Sequence, residues 1–308
     1  MQTKKRVALV GSGVSGTFFA QGVAGAANIE VDVFEPGPPF NKRKLCPIAR
    51  GELTQCPEPI CGYCGPSKGG FENDAKLNLD ATPSHGNHSL YELIGKSEFQ
   101  SYLDVVYETF RSHAPVERPI FSPDQTVLDW IKPRAEAAGM LYQSQRFTAY
   151  GTDNAMKIAA AIQESISEAG PNINFRWKHQ VQSVARLGSQ FLVTHSEVRN
   201  KTLVNPKMGV YDIVVFSVGR GGSRWLAKQE FYRDLAKKPG IADIGVRLET
   251  RASVTRELDR RTYEAKFYKV IKDLNDLVVR NFCNCPPRLG HPRAPRRLRP
   301  RERSHHGG

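Results

Sequence analysis

The sequence contains no run of apolar residues as long as the roughly 18 that a membrane-spanning helix needs. It also lacks the GxSxG, HExxH and Walker A motifs, so nothing in it supports a hydrolase or a kinase. What it does have is 308 residues, of which 40% are hydrophobic. This length and composition suffice for a sizeable core, either in two domains or in one large domain with an insertion.

The opening segment "RVALVGSGVSGTFFA" (residues 6–20) fits two interpretations. Its basic start and its apolar and small residues are typical of a secretory signal. However, a second strand-like segment, "NIEVDVFEPG", follows with no mature start between, and signal peptides rarely carry three glycines in their apolar centre. We therefore interpret the segment as a nucleotide-binding turn and expect a cytoplasmic protein with no membrane partner. In that reducing compartment, cysteines are more often thiols, redox groups or metal ligands than disulfides.

Residues 11–16, called the glycine turn below, are Gly11, Ser12, Gly13, Val14, Ser15 and Gly16. They lie between a buried-strand pattern and a small-residue helix pattern. Gly11 permits the tight turn, Gly13 lets the backbone approach a pyrophosphate, and Gly16 lets the helix pack on the strand. The free N–H groups and the dipole of the helix start favour phosphate. Glu35 ends the next strand, 24 residues after Gly11, at the distance from which a carboxylate accepts a hydrogen bond from a ribose 2′-hydroxyl. By itself this module fits NAD or FAD.

Helix and strand patterns continue along the chain. One helix is predicted over 97–113, with Ser97 as N-cap and an apolar face of Phe99, Leu103, Val106 and Phe110. A second helical stretch, "DQTVLDWIKPRAEAAGM", is interrupted by Pro133, and a third begins near Thr152 or Asp153 and ends at Gly170. Short strands follow in "INFRWK", "VQSVARL", "QFLVTH" and "VYDIVVFSVGR", with turns predicted in "LGSQ" and "RNKTLVNPKMG".

A second glycine-rich turn, "SVGRGG", follows the predicted buried strand Ile213–Phe216. In a doubly wound sheet, ligands bind beyond the carboxyl ends of the strands. This turn is therefore positioned to approach the same dinucleotide as the glycine turn, the alternative being a plain tight turn.

Four cysteines lie in a long stretch without periodicity, in the pattern Cys46-x9-Cys56-x4-Cys61-x2-Cys64, and Cys283-x-Cys285 follows far downstream. Three interpretations stay open: unligated thiols, a zinc or iron–sulfur site, and a dithiol that exchanges electrons with a flavin. Cys61 and Cys64 are the candidate catalytic residues of the third. His85 and His88 are interpreted as solvated loop residues.

Several segments resemble one family. "CP…C…C…C…GGFENDAKLNLD" is similar to the Cys-rich loop and the following "GGAGAFSDGKL"-type stretch of FAD-dependent dehydrogenases, also called NAD(P)/FAD-dependent oxidoreductases. "VVFSVGRGGSRWL" resembles their "GRSGxxWL" turn, and "ADIGVRLE" and "RNFCNCP" resemble their "DIGVRVE" and "RTFCMCP" stretches. With the glycine turn, the resemblance covers residues 6 to about 286. It implies a Rossmann-like, glutathione-reductase-type FAD domain, which is a three-layer ββα sandwich with a β-meander, and the start of an inserted second domain.

Carried over residue by residue, the resemblance implies that the glycine turn and Glu35 hold the ADP part of FAD. Gly219, Arg220 and Gly222 match the later FAD-facing turn, and Lys76 and Leu77 match the "GKL" stretch near the flavin. Ala75 departs from the family, which has glycine there. The family chain also continues well past the position of Cys285, where this chain turns into a basic tail.

The tail, residues 286–308, carries seven Arg against one Glu, a net charge of +6, while the whole chain carries +13. It is rich in Arg, Pro, Gly and His, as an out-of-frame reading of a GC-rich gene would be. We favour a frameshift or truncation because the break falls inside a motif of the resembled family, since composition alone does not decide. The alternative is a disordered tail that binds nucleic acid nonspecifically.

The sequence thus predicts an α/β protein with an FAD-binding domain over 1–235, including a Cys-rich loop (41–70) and a helical insertion (90–145), then the start of an inserted α+β domain (236–285). The expected function is that of an FAD-dependent oxidoreductase of unknown substrate, with NADH or NADPH as possible electron donors. Two alternatives remain: a non-catalytic nucleotide-binding remnant, and a metal- or nucleic-acid-binding protein that uses the Cys loop and the tail.

Overall fold

The computed structural model describes residues 4–42, 75–81, 90–200, 202–233, 244–246, 248–262, 265–274 and 276–281. The described residues form two compact units. The first unit lies within 1–81, 94–120 and 147–242, and the second within 82–93, 121–146 and 243–308. The domain boundaries predicted from the sequence stay predictions.

The strands, in chain order, are β1 (Lys5–Val10), β2 (Ile29–Glu35), β3 (Lys76–Asn78), β4 (Leu141–Gln143), β5 (Phe147–Ala149), β6 (Ile173–Trp177), β7 (His179–Leu187), β8 (Gln190–Arg199), β9 (Thr202–Tyr211), β10 (Ile213–Phe216), β11 (Lys266–Ile271) and β12 (Leu277–Arg280). The α-helices are α1 (Val14–Val23), α2 (Leu90–Ile94), α3 (Lys96–His113), α4 (Gln125–Ala137), α5 (Thr152–Ala169), α6 (Gly219–Leu226), α7 (Glu230–Arg233) and α8 (Ala252–Thr262). Two short 3₁₀ helices cover Phe40–Lys42 and Lys272–Leu274. No helix in the described ranges combines the length and apolar content that crossing a membrane requires.

A four-stranded parallel sheet is the centre of the first unit. Its strand order is β10-β1-β2-β6, with Val10 paired to Phe216 on one side and to Phe34 on the other. In β1 and β2, consecutive residues are buried (7–10 and 31–35), so side chains on both faces of this sheet are covered. The carboxyl ends of β1, β2 and β10 therefore meet at one edge.

Helices cover one face of the parallel sheet. Helices α1, α3 and α5 pack there around a cluster of buried side chains: Val7, Leu9, Val31, Val33, Phe110, Ile158, Ile162 and Ile166. On α3, Phe110 is buried, and Phe99, Leu103 and Val106 are half-buried, so the predicted apolar face is confirmed. Burial of this face stabilises α3 against the core.

An antiparallel meander, β7-β8-β9, covers the other face of the sheet. Val181, Val184 and Val193 of the meander pack with Ala8, Val10 and Phe34 of the parallel sheet. Helices, parallel sheet and meander form three layers, so the predicted α/β class and the Rossmann-like three-layer ββα sandwich are confirmed.

In the second unit, α4 and α8 accompany a three-stranded antiparallel sheet of order β12-β11-β4. Helix α4 is capped by the Asp124 carboxylate, which accepts a hydrogen bond from the Val127 N–H at 2.8 Å. The indole of Trp130 lies between two guanidiniums, those of Arg134 and Arg261, each 4.8 Å from its ring centre.

The local predictions need three corrections. Helix α4 is continuous through Pro133, because Ile131 and Ala135 are buried on one of its faces and hold it together across the proline. The predicted turn "RNKTLVNPKMG" covers most of β9, which pairs with β8 at residues 202–204 and 207–211. Helix α3 takes Gly95 rather than Ser97 as N-cap, and the N-cap of α5 is Gly151, immediately before the predicted Thr152.

Candidate functional site

Three strand ends form the candidate site. Gly11 follows β1, Glu35 ends β2, and Ser217 follows β10. Since β1 lies between the other two strands in a parallel sheet, the glycine turn lies between Glu35 and Ser217. The carboxyl edge of such a sheet is where doubly wound proteins bind their ligands.

Two glycines of the turn are required by the surrounding backbone. Gly11 has φ +98°, and a Cβ on it would lie 2.5 Å from the Ser217 carbonyl oxygen. A Cβ on Gly16 would collide with the Gly11 carbonyl oxygen and would lie 2.6 Å from the Ser217 hydroxyl. No larger side chain fits at either position without moving backbone, so the fold itself demands glycine there.

Gly13 is different. Its φ of −60° and ψ of −175° are extended values that any residue adopts. A Cβ built on it would meet one described protein atom within 4 Å, the Ser217 carbonyl oxygen at 4.0 Å. With respect to the described residues, the space beside Gly13 is therefore open. Gly13 is also the N-cap of α1 and, being glycine, makes no side-chain capping hydrogen bond at the helix start. A helix N-terminus with an open approach of this kind is suited to bind an anion.

The Glu35 carboxylate lies directly beside the turn. It is only 4% exposed, and one oxygen (Oε2) accepts hydrogen bonds from the Ser12 hydroxyl at 2.8 Å and from the Ser12 N–H at 3.3 Å. The other oxygen accepts from the Gly37 N–H at 2.8 Å. Charge-assisted bonds of this kind hold the carboxylate in one position at the end of β2.

The second glycine-rich turn joins the first through Ser217. The Ser217 hydroxyl donates a hydrogen bond of 2.6 Å to the Gly11 carbonyl, and the Ser217 N–H donates to the Val10 carbonyl at 2.9 Å. Gly219, with φ +59°, and Arg220 begin α6 immediately afterwards, and a Cβ on Gly222 would lie 2.5 Å from the Cβ of Val218. Ser217 was missed at the sequence level; its signal is a hydroxyl residue directly between a strand and a glycine-rich turn. The prediction that this strand is buried was wrong, because β10 lies at the edge of the four-stranded sheet, with Ile213 exposed and the other three residues half-buried.

Lys76 and Leu77 lie on β3, which pairs with β5 in the first unit. Leu77 packs against the same core cluster as Val14 of α1. Ala75, where the resembled family has glycine, is fully buried with φ +42°, in the left-handed region that favours glycine. Ala75 thus replaces the family's glycine at a position whose backbone conformation favours glycine.

The cysteine predictions lie outside the described residues. This holds for Cys46, Cys56, Cys61 and Cys64, for Cys283 and Cys285, and equally for the two loop histidines and for the tail. Within the ranges that the structure describes, no group of three or more His, Cys, Asp or Glu side chains is arranged to hold a metal ion. The zinc, iron–sulfur and dithiol interpretations stay predictions.

No protein-family model matches the chain, and no curated protein matches it. Among solved structures it is similar to a glycine oxidase from Bacillus cereus (TM-score 0.40, 13% identity, 75% of this chain and 59% of that one). It is also similar to p-nitrophenol 4-monooxygenase from Pseudomonas putida (0.35, 15%, 70% and 41%) and to a flavoprotein/dehydrogenase from Cytophaga hutchinsonii (0.32, 12%, 71% and 40%). The chain spans about two fifths to three fifths of the length of these proteins. The likeness is distant, and the function proposed below rests on the site's own geometry.

Proposed function

We propose that the chain binds FAD across the glycine turn and belongs to an FAD-dependent oxidoreductase. The observation that carries this proposal is the open space at Gly13, at the uncapped start of α1. Gly11 and Gly16 are explained by the packing of the protein alone, whereas Gly13 is not. A glycine that neither the backbone conformation nor the protein packing requires is explained by a ligand that approaches the backbone closely.

The residues at this edge fit the ADP part of a dinucleotide. The N–H groups at the start of α1 and the helix dipole would bind the pyrophosphate without a metal ion. The Glu35 carboxylate, fixed at the end of β2, would accept a hydrogen bond from a ribose hydroxyl. The turn that begins at Ser217 would close the site from the β10 side.

We propose FAD rather than NAD as the ligand because the β7-β8-β9 meander forms a third layer on the sheet. The glycine turn alone serves either dinucleotide, but the meander on the second face of the sheet is the arrangement that the family resemblance implies for an FAD domain. Bound FAD would supply hydride transfer, while the protein holds and orients it. NADH or NADPH as the electron donor, and a catalytic role of Cys61 and Cys64, belong to the same proposal.

Substitution of Gly13 by Val tests the binding site directly. The extended backbone at Gly13 accepts Val without strain, so the variant should fold normally. Its branched side chain would fill the space that the pyrophosphate needs. We expect FAD affinity, measured by calorimetric titration, to fall at least about a hundredfold, which corresponds to about 2.7 kcal/mol.

Gly22→Val is the matched control. Gly22 lies further along α1, and a Cβ there would meet no described atom within 4 Å. The control makes the same change of residue on the same helix, and it should bind FAD like the wild type. A folded Gly13→Val protein with unchanged FAD affinity would remove the basis of the proposed site.

Reduction of the bound flavin separates an oxidoreductase from a protein that only binds the nucleotide. We expect anaerobic NADH or NADPH to bleach the flavin spectrum of the loaded protein. Tight FAD binding without reduction by either donor would favour the non-catalytic alternative.

A further inference from the structure

The peptide unit between Gly11 and Ser12 is held at both of its ends by side chains from the flanking strands. Its carbonyl oxygen accepts the 2.6 Å hydrogen bond from the Ser217 hydroxyl. Its N–H donates to the Glu35 carboxylate at 3.3 Å, and the Ser12 hydroxyl donates to the same oxygen at 2.8 Å. Because a peptide unit is a rigid plane, fixing both ends fixes the orientation of the whole unit.

The space for the Ser217 hydroxyl is created by Gly16. A Cβ on Gly16 would lie 2.6 Å from that hydroxyl oxygen. The glycine therefore provides the gap through which a side chain following β10 reaches the turn following β1. These two segments are 206 residues apart in the chain, and the hydroxyl connects them at the point where the glycine turn begins.

The fixed peptide directly precedes the helix start. Gly13, the N-cap of α1, comes next, and the Gly13 carbonyl accepts from the Thr17 N–H at 2.8 Å. The Thr17 hydroxyl donates to the Ser12 carbonyl at 3.1 Å, so the following peptide unit is also tied down. The direction of the first N–H groups of α1 thus depends on the orientation of the Gly11–Ser12 peptide.

We propose that Ser217 is a positioning residue of the dinucleotide site: its hydroxyl orients the glycine turn so that the N–H groups of α1 face the pyrophosphate before the ligand arrives. This inference rests on the proposed FAD site. Pre-organisation of this kind increases affinity because less conformational freedom is lost on binding. Glu35 holds the other end of the peptide, but it would itself contact the ligand, so Ser217 is the cleaner position to test.

Ser217→Ala should weaken the binding of FAD and of ADP by the same factor, about threefold to tenfold, the effect of one net hydrogen bond. Adenosine, which lacks the pyrophosphate, should bind the variant and the wild type equally. Ser167→Ala is the matched control, because its hydroxyl also donates to a backbone carbonyl, that of Gln163 at 3.0 Å on α5. The control should leave all three affinities unchanged.

The possible outcomes are distinguishable. A wild type that binds neither FAD nor ADP contradicts the proposed function. A wild type that binds both, with a folded Ser217→Ala variant that binds them equally well, overturns the role of Ser217 alone. An equal loss for adenosine, ADP and FAD also overturns it, because the effect would then not be directed at the pyrophosphate.

If Ser217→Ala does not fold, hydrogen exchange in the wild type tests the premise of the proposal, that the Gly11–Ser12 peptide is already fixed before FAD binds. The Ser12 amide should already be protected without FAD, and the N–H groups of Val14 and Ser15 should gain protection only when FAD binds. A Ser12 amide that exchanges as fast as in an unstructured peptide, before FAD is added, would overturn the proposal.

Discussion

The three glycines of the glycine turn have different physical origins. Gly11 and Gly16 have no room for a Cβ next to protein backbone, whereas Gly13 has open space. Substitutions at Gly11 or Gly16 therefore disturb the fold and the site together. Among these three glycines, only Gly13 can be substituted to change ligand binding without disturbing the fold.

The sequence predicts the glycine turn well because its three glycines have a fixed spacing between a strand pattern and a helix pattern. Ser217 and its contact with Gly11 depend instead on the order of strands in the sheet, which brings distant segments together. The φ of Ala75 is likewise set by tertiary packing, so an alanine gives no local sign of it.

His195, on β8, is a buried residue that the sequence did not single out. It is 9% exposed, its ring lies 4.7 Å from that of Phe34, and within the described part of the chain its Nδ1 has no hydrogen-bond partner. Burial, followed by the proximity of His179 and of the cationic Arg176 and Lys207, lowers the pKa of His195 to about 4. The side chain is therefore neutral in the folded protein at neutral pH.

His195 should make the fold sensitive to mild acid. The unfolded chain takes up the proton near pH 6.5, but the folded chain does so only near pH 4. The free energy of unfolding should therefore be highest above pH 6.5. It should fall by on the order of 3 kcal/mol as the pH decreases towards 4. We expect urea unfolding at a series of pH values to follow this decline in the wild type.

His195→Leu and His195→Asn should both flatten the decline between pH 6.5 and 4. One replacement is apolar and the other polar, and neither titrates. A shared effect therefore identifies the charge rather than the shape of the side chain as the cause. Variants whose pH profiles run parallel to that of the wild type would exclude His195 as the source.

At the scale of elements, the prediction is accurate where the apolar pattern is uninterrupted and poor where turn-type residues lie inside a strand. The alternation and spacing of apolar residues identified α1, α3, α5 and β10. Strand β9 was missed because Asn205, with φ +52°, and Pro206 are typical of a turn. It is nevertheless a strand, because β9 is an edge of the meander, where a proline without an N–H is tolerated, and the β8–β9 pairing shifts its register at His195 to Glu197.

Helix α4 contains a residue that is unfavourable in a helix interior. Pro133 is exposed in the middle of this helix, where proline lacks the N–H of a helical hydrogen bond and its ring generally clashes with the carbonyl four residues earlier. Pro133→Ala should stabilise α4 by about 1–2 kcal/mol, less than the full proline penalty because proline also restricts the unfolded chain. The α4 amides should then exchange hydrogen about 5–30-fold more slowly.

Lys132→Ala provides the control for that helix. Lys132 is the exposed neighbour of Pro133, and its replacement leaves the proline in place. We expect its α4 amides to exchange nearly as in the wild type, with a change in stability within about 0.5 kcal/mol. If hydrogen exchange of the α4 amides slowed equally in both variants, the cause would be the helix propensity of alanine and not the removal of proline.

At the scale of the whole molecule, a buried carboxylate joins the parallel sheet and the meander of the first unit. Asp32 of β2, 5% exposed, accepts a hydrogen bond from the Tyr211 hydroxyl of β9 at 2.8 Å. It also pairs with Arg176 at 3.0 Å and with Arg6 at 3.5 Å, and the Arg6 guanidinium lies 4.7 Å from the centre of the Tyr211 ring. A buried carboxylate with these partners specifies how the meander packs on the parallel sheet, which composition and periodicity alone do not reveal.

The visible absorption spectrum of the purified chain, after incubation with FAD and removal of unbound FAD by gel filtration, tests the central claim most directly. The structure offers an open, uncapped helix start at Gly13 beside a fixed carboxylate, and the claim is that FAD fills it. We predict that the protein retains an equimolar amount of flavin and shows the spectrum of bound FAD. A colourless protein that retains no FAD would contradict the account.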